Sequence, residues 1–155
     1  MENYTCCFFG HRTINETDEL RTKLTDVIEK LITDEKVDTF LFGSKSEFDS
    51  LCLKLVTGLK EKYPHIKRIY VRAEYPVIGD EYRAYLLKLY DDTYYPEKLI
   101  GAGRAVYIER NYEMIERSRF CVVYYDGEGV SGVHKSGTGI AFEYAVKKGR
   151  EIICV

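Results

Sequence analysis

Four residues near the carboxyl terminus, Ser136-Gly137-Thr138-Gly139, carry the most informative chemistry in the chain. They follow an apolar run, Phe120 to Tyr125, that ends in Asp126-Gly127, and they lead into a helical pattern, Ile140 to Lys148. Backbone N–H groups in the first turn of a helix have no intrahelical acceptor, and glycine lets a ligand approach the main chain. This junction therefore suits a phosphate. Gly10-His11-Arg12 and Gly43-Ser44-Lys45-Ser46 have the same form, each joining an apolar run to a helical pattern through glycine and donors. Arg12 and Lys45 add cations. Arg110 brings a guanidinium fork that fits phosphate, although a surface ion pair with Glu113 or Glu116 accounts for it equally well. His11 either donates to the phosphate or packs as a neutral turn residue.

Such loops act together only if the fold delivers them to one place. Tyr4 to Phe9, Thr39 to Phe42, Ile66 to Val71, Phe120 to Tyr125 and Glu151 to Cys154 read as strands. Leu20, Leu24, Val27, Ile28, Leu31 and Ile32 repeat at helical spacing, as do Leu51, Cys52, Leu55, Val56 and Leu59. Thr13 with Glu16 has the form of a capping box, which places the first helix directly after the Gly-His-Arg turn. Ser46 with Asp49 does the same for the second helix. Asp80 to Leu89 and Arg104 to Arg117 are further helices. The stretch from Glu74 to Gly103 is the least regular, broken by Pro76, Gly79 and Pro96.

Strands alternating with helices predict an α/β fold: one domain, a Rossmann-like three-layer sandwich with a mostly parallel sheet of about five strands. Loops at the carboxyl ends of parallel strands share one edge, and ligands bind there, where strand order reverses. None of the three loops matches G-x-G-x-x-G or G-x-x-x-x-G-K-[ST], so neither hydride transfer nor NTP hydrolysis is supported.

A chain of 155 residues fits one domain with a core of its own. A net charge of -2 argues against nucleic acid as a partner, since no net positive field draws a polyanion. No apolar window is long enough for a membrane span, and the first residues do not read as a signal peptide, so a cytoplasmic protein is expected. Cys6, Cys7, Cys52, Cys121 and Cys154 are odd in number and lack C-x-x-C spacing. They read as small apolar residues of a reduced interior, without metal or cofactor. Tyr75, Tyr82, Tyr85, Tyr90, Tyr94 and Tyr95 crowd one segment, where they stack a base or, the favoured reading, pack half-buried or form a subunit interface; such an interface would serve a homo-oligomer.

Thr5-Cys6-Cys7-Phe8-Phe9-Gly10-His11-Arg12, Arg110-Asn111-Tyr112-Glu113-Met114 and Ser136-Gly137-Thr138-Gly139 together resemble the SLOG superfamily, which joins the Lonely guy nucleotide hydrolases to the DNA-processing Smf proteins. The resemblance is nearest to its bacterial YpsA-like branch and spans nearly the whole chain. It implies a Rossmann-like fold whose strand-end loops hold a nucleotide or nucleotide derivative such as an ADP-ribose-like molecule, often for sensing or signalling. Ser136 to Gly139 would be the phosphate loop, Gly10 to Arg12 the opening turn, and Arg110 with Asn111 the anion-facing helix.

One departure matters. The superfamily's hydrolases carry P-G-G-x-G-T-x-x-E, with glutamate three residues after the threonine. That position here is Ala141, and the first acid is Glu143. A two-residue shift moves a carboxylate roughly 3 Å along the helix and about 200° around it. Glu143 remains a candidate nucleophile or base, as in deoxyribosyltransferases and other N-glycosidases; otherwise it accepts from ribose hydroxyls or lies on a solvated face. The expectation is a nucleotide-binding or sensing module held by Gly137 to Gly139, Arg12, Lys45 and Arg110, with Asp126 or Glu143 at the ribose. The alternative is an N-glycosidic hydrolase or transferase acting on nucleotides. Single-stranded DNA binding fits the charge poorly.

Overall fold

The computed structural model describes residues 3–125 and 136–155; Asp126 and Gly127 of the expected site lie outside the described residues. In β1 (Thr5–Gly10) the period-two alternation of a strand buries Cys6 and Phe8 in one cluster and Cys7 and Phe9 in another. A strand covered on both faces has to lie inside a sheet flanked by helices. The first cluster takes Leu24, Ile28 and Ile32 from α1 (Asp18–Thr33) and Phe48, Leu51, Cys52 and Val56 from α2 (Glu47–Leu59). The second takes Met114 and Ile115 from α4 (Val106–Arg117) and Ala141 and Ala145 from α5 (Gly137–Lys147). Three layers result.

The sheet comprises β1, β2 (Thr39–Phe42), β3 (Lys67–Val71), β4 (Asp92–Tyr94), β5 (Phe120–Tyr124) and β6 (Glu151–Cys154). Its order is β4-β3-β2-β1-β5-β6, and every pairing is parallel. The chain runs outward from β1 to β4, then returns to the far side of β1, so strand order reverses between β1 and β5. This is the Rossmann-like sandwich expected, with one strand more. Asp92-Thr93-Tyr94 is too short and polar to show a period in sequence; its pairing with Ile69, Tyr70 and Val71 makes it a strand. α3 (Asp80–Leu89) packs beside it and buries only Leu86.

α1 begins later than the capping box predicts. Thr17 is the N-cap, its hydroxyl accepting from Leu20 N–H at 3.1 Å, while Glu16 faces Arg21 at 2.5 Å rather than returning to Thr13. Asp18 and Glu19 then fill the first turn, which favours negative charge. The Gly10-His11-Arg12 turn consequently lies against α2, not α1: the Arg12 carbonyl accepts from Glu47 N–H at 2.8 Å.

All five cysteines are free; Cys6, Cys7, Cys52 and Cys121 are buried, whereas Cys154, near the end of edge strand β6, is exposed. The tyrosine segment divides. Tyr90 stacks on Tyr70 with centroids 5.1 Å apart, and Tyr94 donates to Glu113, but Tyr75 and Tyr85 are exposed. No described helix is long and apolar enough to cross a membrane.

Candidate functional site

The carboxyl ends of β1, β2 and β3 and the amino end of α5 surround one cleft of about 630 Å³, within the roughly 300–1,000 Å³ of small-molecule sites. Gly10, His11 and Arg12 line it from β1, and Gly43, Ser44, Lys45 and Ser46 from β2. Ser136, Gly137 and Thr138 line it from α5, and Arg110 and Asn111 from α4. The three junctions singled out in the sequence therefore meet at the switch point of the sheet. Gly139 and Glu143 are not among the lining residues.

Gly139 has another task. Its N–H donates to the Ser136 hydroxyl at 3.0 Å, capping α5, and a Cβ there would stand 3.2 Å from the Tyr125 hydroxyl. The amides of Gly137 and Thr138 have no acceptor among the described residues, and nothing lies within 4 Å of a Cβ added at Gly137. Gly10 and Gly43 differ: a Cβ would lie 2.3 Å from the Phe48 ring and 2.7 Å from Arg110 Cδ and Met114 Sδ. Their missing side chains make room for protein, not for a ligand, which corrects the expectation of an unhindered backbone at all three loops. Glu143 is exposed, because Thr138, Gly139, Ala141 and Ala145 are the residues α5 buries.

Arg110 is only 4% exposed. Its Nη1 donates to the Gly43 carbonyl at 2.5 Å and also approaches that of Val71, its Nε donates to Asn111 Oδ1 at 3.0 Å, and its guanidinium lies 5.8 Å from the Tyr107 ring centroid. No carboxylate within 4 Å pairs with it among the described residues; Glu113 faces Arg117 and Lys98 instead, and Glu116 faces Lys98. Nη2 has no hydrogen-bond partner among the described residues. The buried Arg72 sets the contrast: its Nε, Nη1 and Nη2 all donate, to Tyr75 O, Thr93 Oγ1 and Pro76 O, so that guanidinium is spent on holding a loop.

Asp49 lies beneath this floor. It is buried, its Oδ1 has no hydrogen-bond partner among the described residues, and burial pushes its carboxyl pKa up to about 8, against the pull of Arg110 and of the Gly43 N–H. Near neutral pH the acid is protonated and leaves the Arg110 charge largely uncompensated. Burial also pulls the Arg110 pKa down from its ordinary value, but a guanidinium starts high enough to stay charged.

His11 lines the cleft with its ring 5.8 Å from that of Tyr125, centroid to centroid. Lys45 is exposed at the rim, 3.9 Å from Glu74 Oε2. Tyr107 donates to Glu74 Oε1 at 2.9 Å, and the hydrogen bond to the carboxylate holds the phenol pKa up. Glu74, Tyr70 and Tyr107 all line the cleft without having been expected there. Glu74 lies a few residues beyond the end of β3, where the strand-end rule points; the irregular stretch that follows hid it.

No family model matches the chain, and no curated protein matches it either.

Proposed function

We propose that the cleft binds a phosphorylated nucleotide or nucleotide derivative, a nucleoside phosphate or an ADP-ribose-like molecule, as a binding or sensing site. The observation that carries this reading is Arg110: a buried guanidinium with one edge tied to a strand-end carbonyl and, among the described residues, no hydrogen-bond partner for Nη2 and no acid paired to it. Buried charges need a partner, and an oxyanion is the partner a guanidinium fork fits. The Gly137 and Thr138 amides at the start of α5 supply a second anion-attracting group on the same cleft. Arg12 and Lys45 raise the local positive potential from the rim. No observation favours N-glycosidic hydrolysis by Glu143, which lies outside the cleft lining.

We further propose that the chain is a YpsA-like member of the SLOG superfamily, because all three segments carrying that resemblance contribute to the cleft. Five free cysteines fit a reducing cytoplasm. Exposed Tyr75, Val77 and Tyr85 support self-association.

Calorimetric titration with nucleoside mono- and diphosphates and ADP-ribose tests the reading. Saturable binding is expected, weakened about 100-fold or more in Arg110→Gln, since a buried charged hydrogen bond and its Coulombic partner are both lost. Arg110→Lys, which keeps charge but not the fork, should fall between. Unchanged binding by a folded Arg110→Gln overturns the assignment. Release of free base that Glu143→Gln abolishes would overturn the binding-only reading.

A further inference from the structure

We infer that Glu74 is the group that selects the ligand, by accepting hydrogen bonds from a vicinal diol of a sugar phosphate. The inference rests on the anion-binding reading above and goes further in naming a second pole of the cleft. Among the described lining residues Glu74 is the sole carboxylate, facing a cleft that otherwise presents Arg12, Lys45 and Arg110. A bare carboxylate there repels an anionic ligand, so its presence needs a purpose that hydroxyl donors satisfy.

Its geometry suits that purpose. Oε1 accepts from the Tyr107 phenol at 2.9 Å, which fixes the carboxylate plane. Oε2 has no hydrogen-bond donor among the described residues, and Lys45 Nζ at 3.9 Å neutralises it without bonding to it. An ionised carboxylate offers about four lone-pair sites, and the phenol takes one. Two adjacent hydroxyls can therefore both donate to it. The Tyr107 hydroxyl donates to Glu74 and its ring centroid lies 5.8 Å from the Arg110 guanidinium; all three line the cleft, and the carboxylate and the guanidinium do not pair.

Position in the sheet sets the length of the ligand. Glu74 follows β3 and the amides of Gly137 and Thr138 follow β5, with β2 and β1 between. Three strand spacings amount to roughly 14 Å, less the reach of the side chains. Inorganic phosphate cannot touch both poles; a sugar carrying phosphate at one end and free hydroxyls at the other can. Glu74 thus favours ribonucleotides over deoxy forms and over free phosphate.

The test compares the ribonucleoside 5′-mono- and diphosphates, their 2′,3′-dideoxy counterparts and inorganic phosphate, by calorimetry, on the full chain and on Glu74→Gln. In the unaltered protein the tightest ribonucleotide should exceed its dideoxy counterpart by about tenfold or more, as expected for hydrogen bonds to a charged acceptor. Glu74→Gln should bring that ratio to within about twofold while phosphate binds as well or better, because a repelling charge is gone. Opposite signs for the two ligands separate recognition from a structural role, which would weaken both. Tyr107→Phe should lower the ratio partway. A ratio that Glu74→Gln leaves unchanged overturns the inference. Phosphate binding with no diol preference in the unaltered protein overturns it too, but leaves the anion reading standing. Absence of binding by any anion overturns the anion reading, and this inference falls with it.

Discussion

Helices α2 and α5 both begin at the cleft, each behind a serine cap that accepts from the third helical amide, and in sequence Ser44-Lys45-Ser46 and Ser136-Gly137-Thr138 look like equivalent phosphate seats. They are not equivalent. At α2 the Glu47 amide is taken by the Arg12 carbonyl and the Asp49 amide by Ser46 Oγ, so of the first three amides only that of Phe48 has no acceptor among the described residues. At α5 the Gly139 amide is taken, and the amides of Gly137 and Thr138 have no acceptor among the described residues. A helix start with a serine cap becomes an anion seat only where neighbouring backbone leaves donors over. The α2 side contributes instead through what its loop supports: the Gly43 carbonyl anchors Arg110, and Asp49 lies below it.

Glycine substitution breaks this comparison most forcefully. Gly10→Ala drives a Cβ to 2.3 Å from the rigid Phe48 ring at the start of α2, and should lower unfolding stability by about 3 kcal/mol or more, the upper part of the overpacking range. Gly43→Ala meets the aliphatic stem of Arg110 and the thioether of Met114, side chains that can shift more readily than a ring, so its expected cost in stability is smaller while affinity falls as Arg110 is displaced. Gly137→Ala meets nothing and should stabilise by about 0.4–1 kcal/mol through the unfolded chain. Urea denaturation of the three variants gives the order. Equal effects at Gly10 and Gly137 would show that the two helix starts are packed alike.

The scaffold was legible because its signal is periodic. Cys6 to Phe9, Phe40 to Phe42 and Phe120 to Val123 are apolar throughout, and α1 and α2 repeat at helical spacing, so the layers and the parallel sheet followed from pattern. Local hydrogen bonds were less legible. Thr13 and Thr17 both satisfy the chemistry of a cap, and what decides between them is Glu16 turning to Arg21. The third element of the site, Glu74 with Tyr107, joins residues 33 positions apart that share no motif. Asp49 looked like a cap partner, and only burial turns it into a titrating group under the cleft. Pattern finds the elements; which donors and acceptors remain unpaired depends on contacts between elements.

Asp49 gives the next sharpest test of the α2 side. Its pKa rises from the ordinary 3.8 to about 8 on folding, so between those values the native state holds a proton that the unfolded chain has lost. Stability therefore falls as pH climbs through that window, by up to about 1.4 kcal/mol per pH unit for one proton, and levels off below about 4 and above about 8. Asp49→Asn removes the proton exchange. Denaturation at pH 5, 6.5 and 8 should show the unaltered protein losing ground to the variant as pH rises. Ligand affinity should weaken through Asp49 only as pH approaches and passes about 8, where the native acid ionises and offsets Arg110, and in the unaltered protein alone. Parallel pH profiles would mean that Asp49 is ionised throughout and the α2 floor is neutral.

The smallest effect belongs to Lys45, and its size is what makes it useful. Lys45 occupies the same loop as Gly43 and the same cleft as Arg110, yet its side chain is 75% exposed and its nearest acid, Glu74, is 3.9 Å away. An exposed ammonium acts through solvent that screens it, so Lys45→Ala should weaken nucleotide binding only about two- to fivefold, corresponding to roughly 0.5–1 kcal/mol. That loss should shrink further above about 0.5 M salt, where the Debye length falls below the width of the cleft. Arg110→Gln should lose affinity in a way that salt hardly alters, since burial shields the pair it would form with an anion. Titrating both variants at two salt concentrations distinguishes a rim charge from a floor charge. If Lys45→Ala matches Arg110→Gln in size and in salt response, the anion sits on the rim, and neither the α5 amides nor the buried guanidinium is its seat.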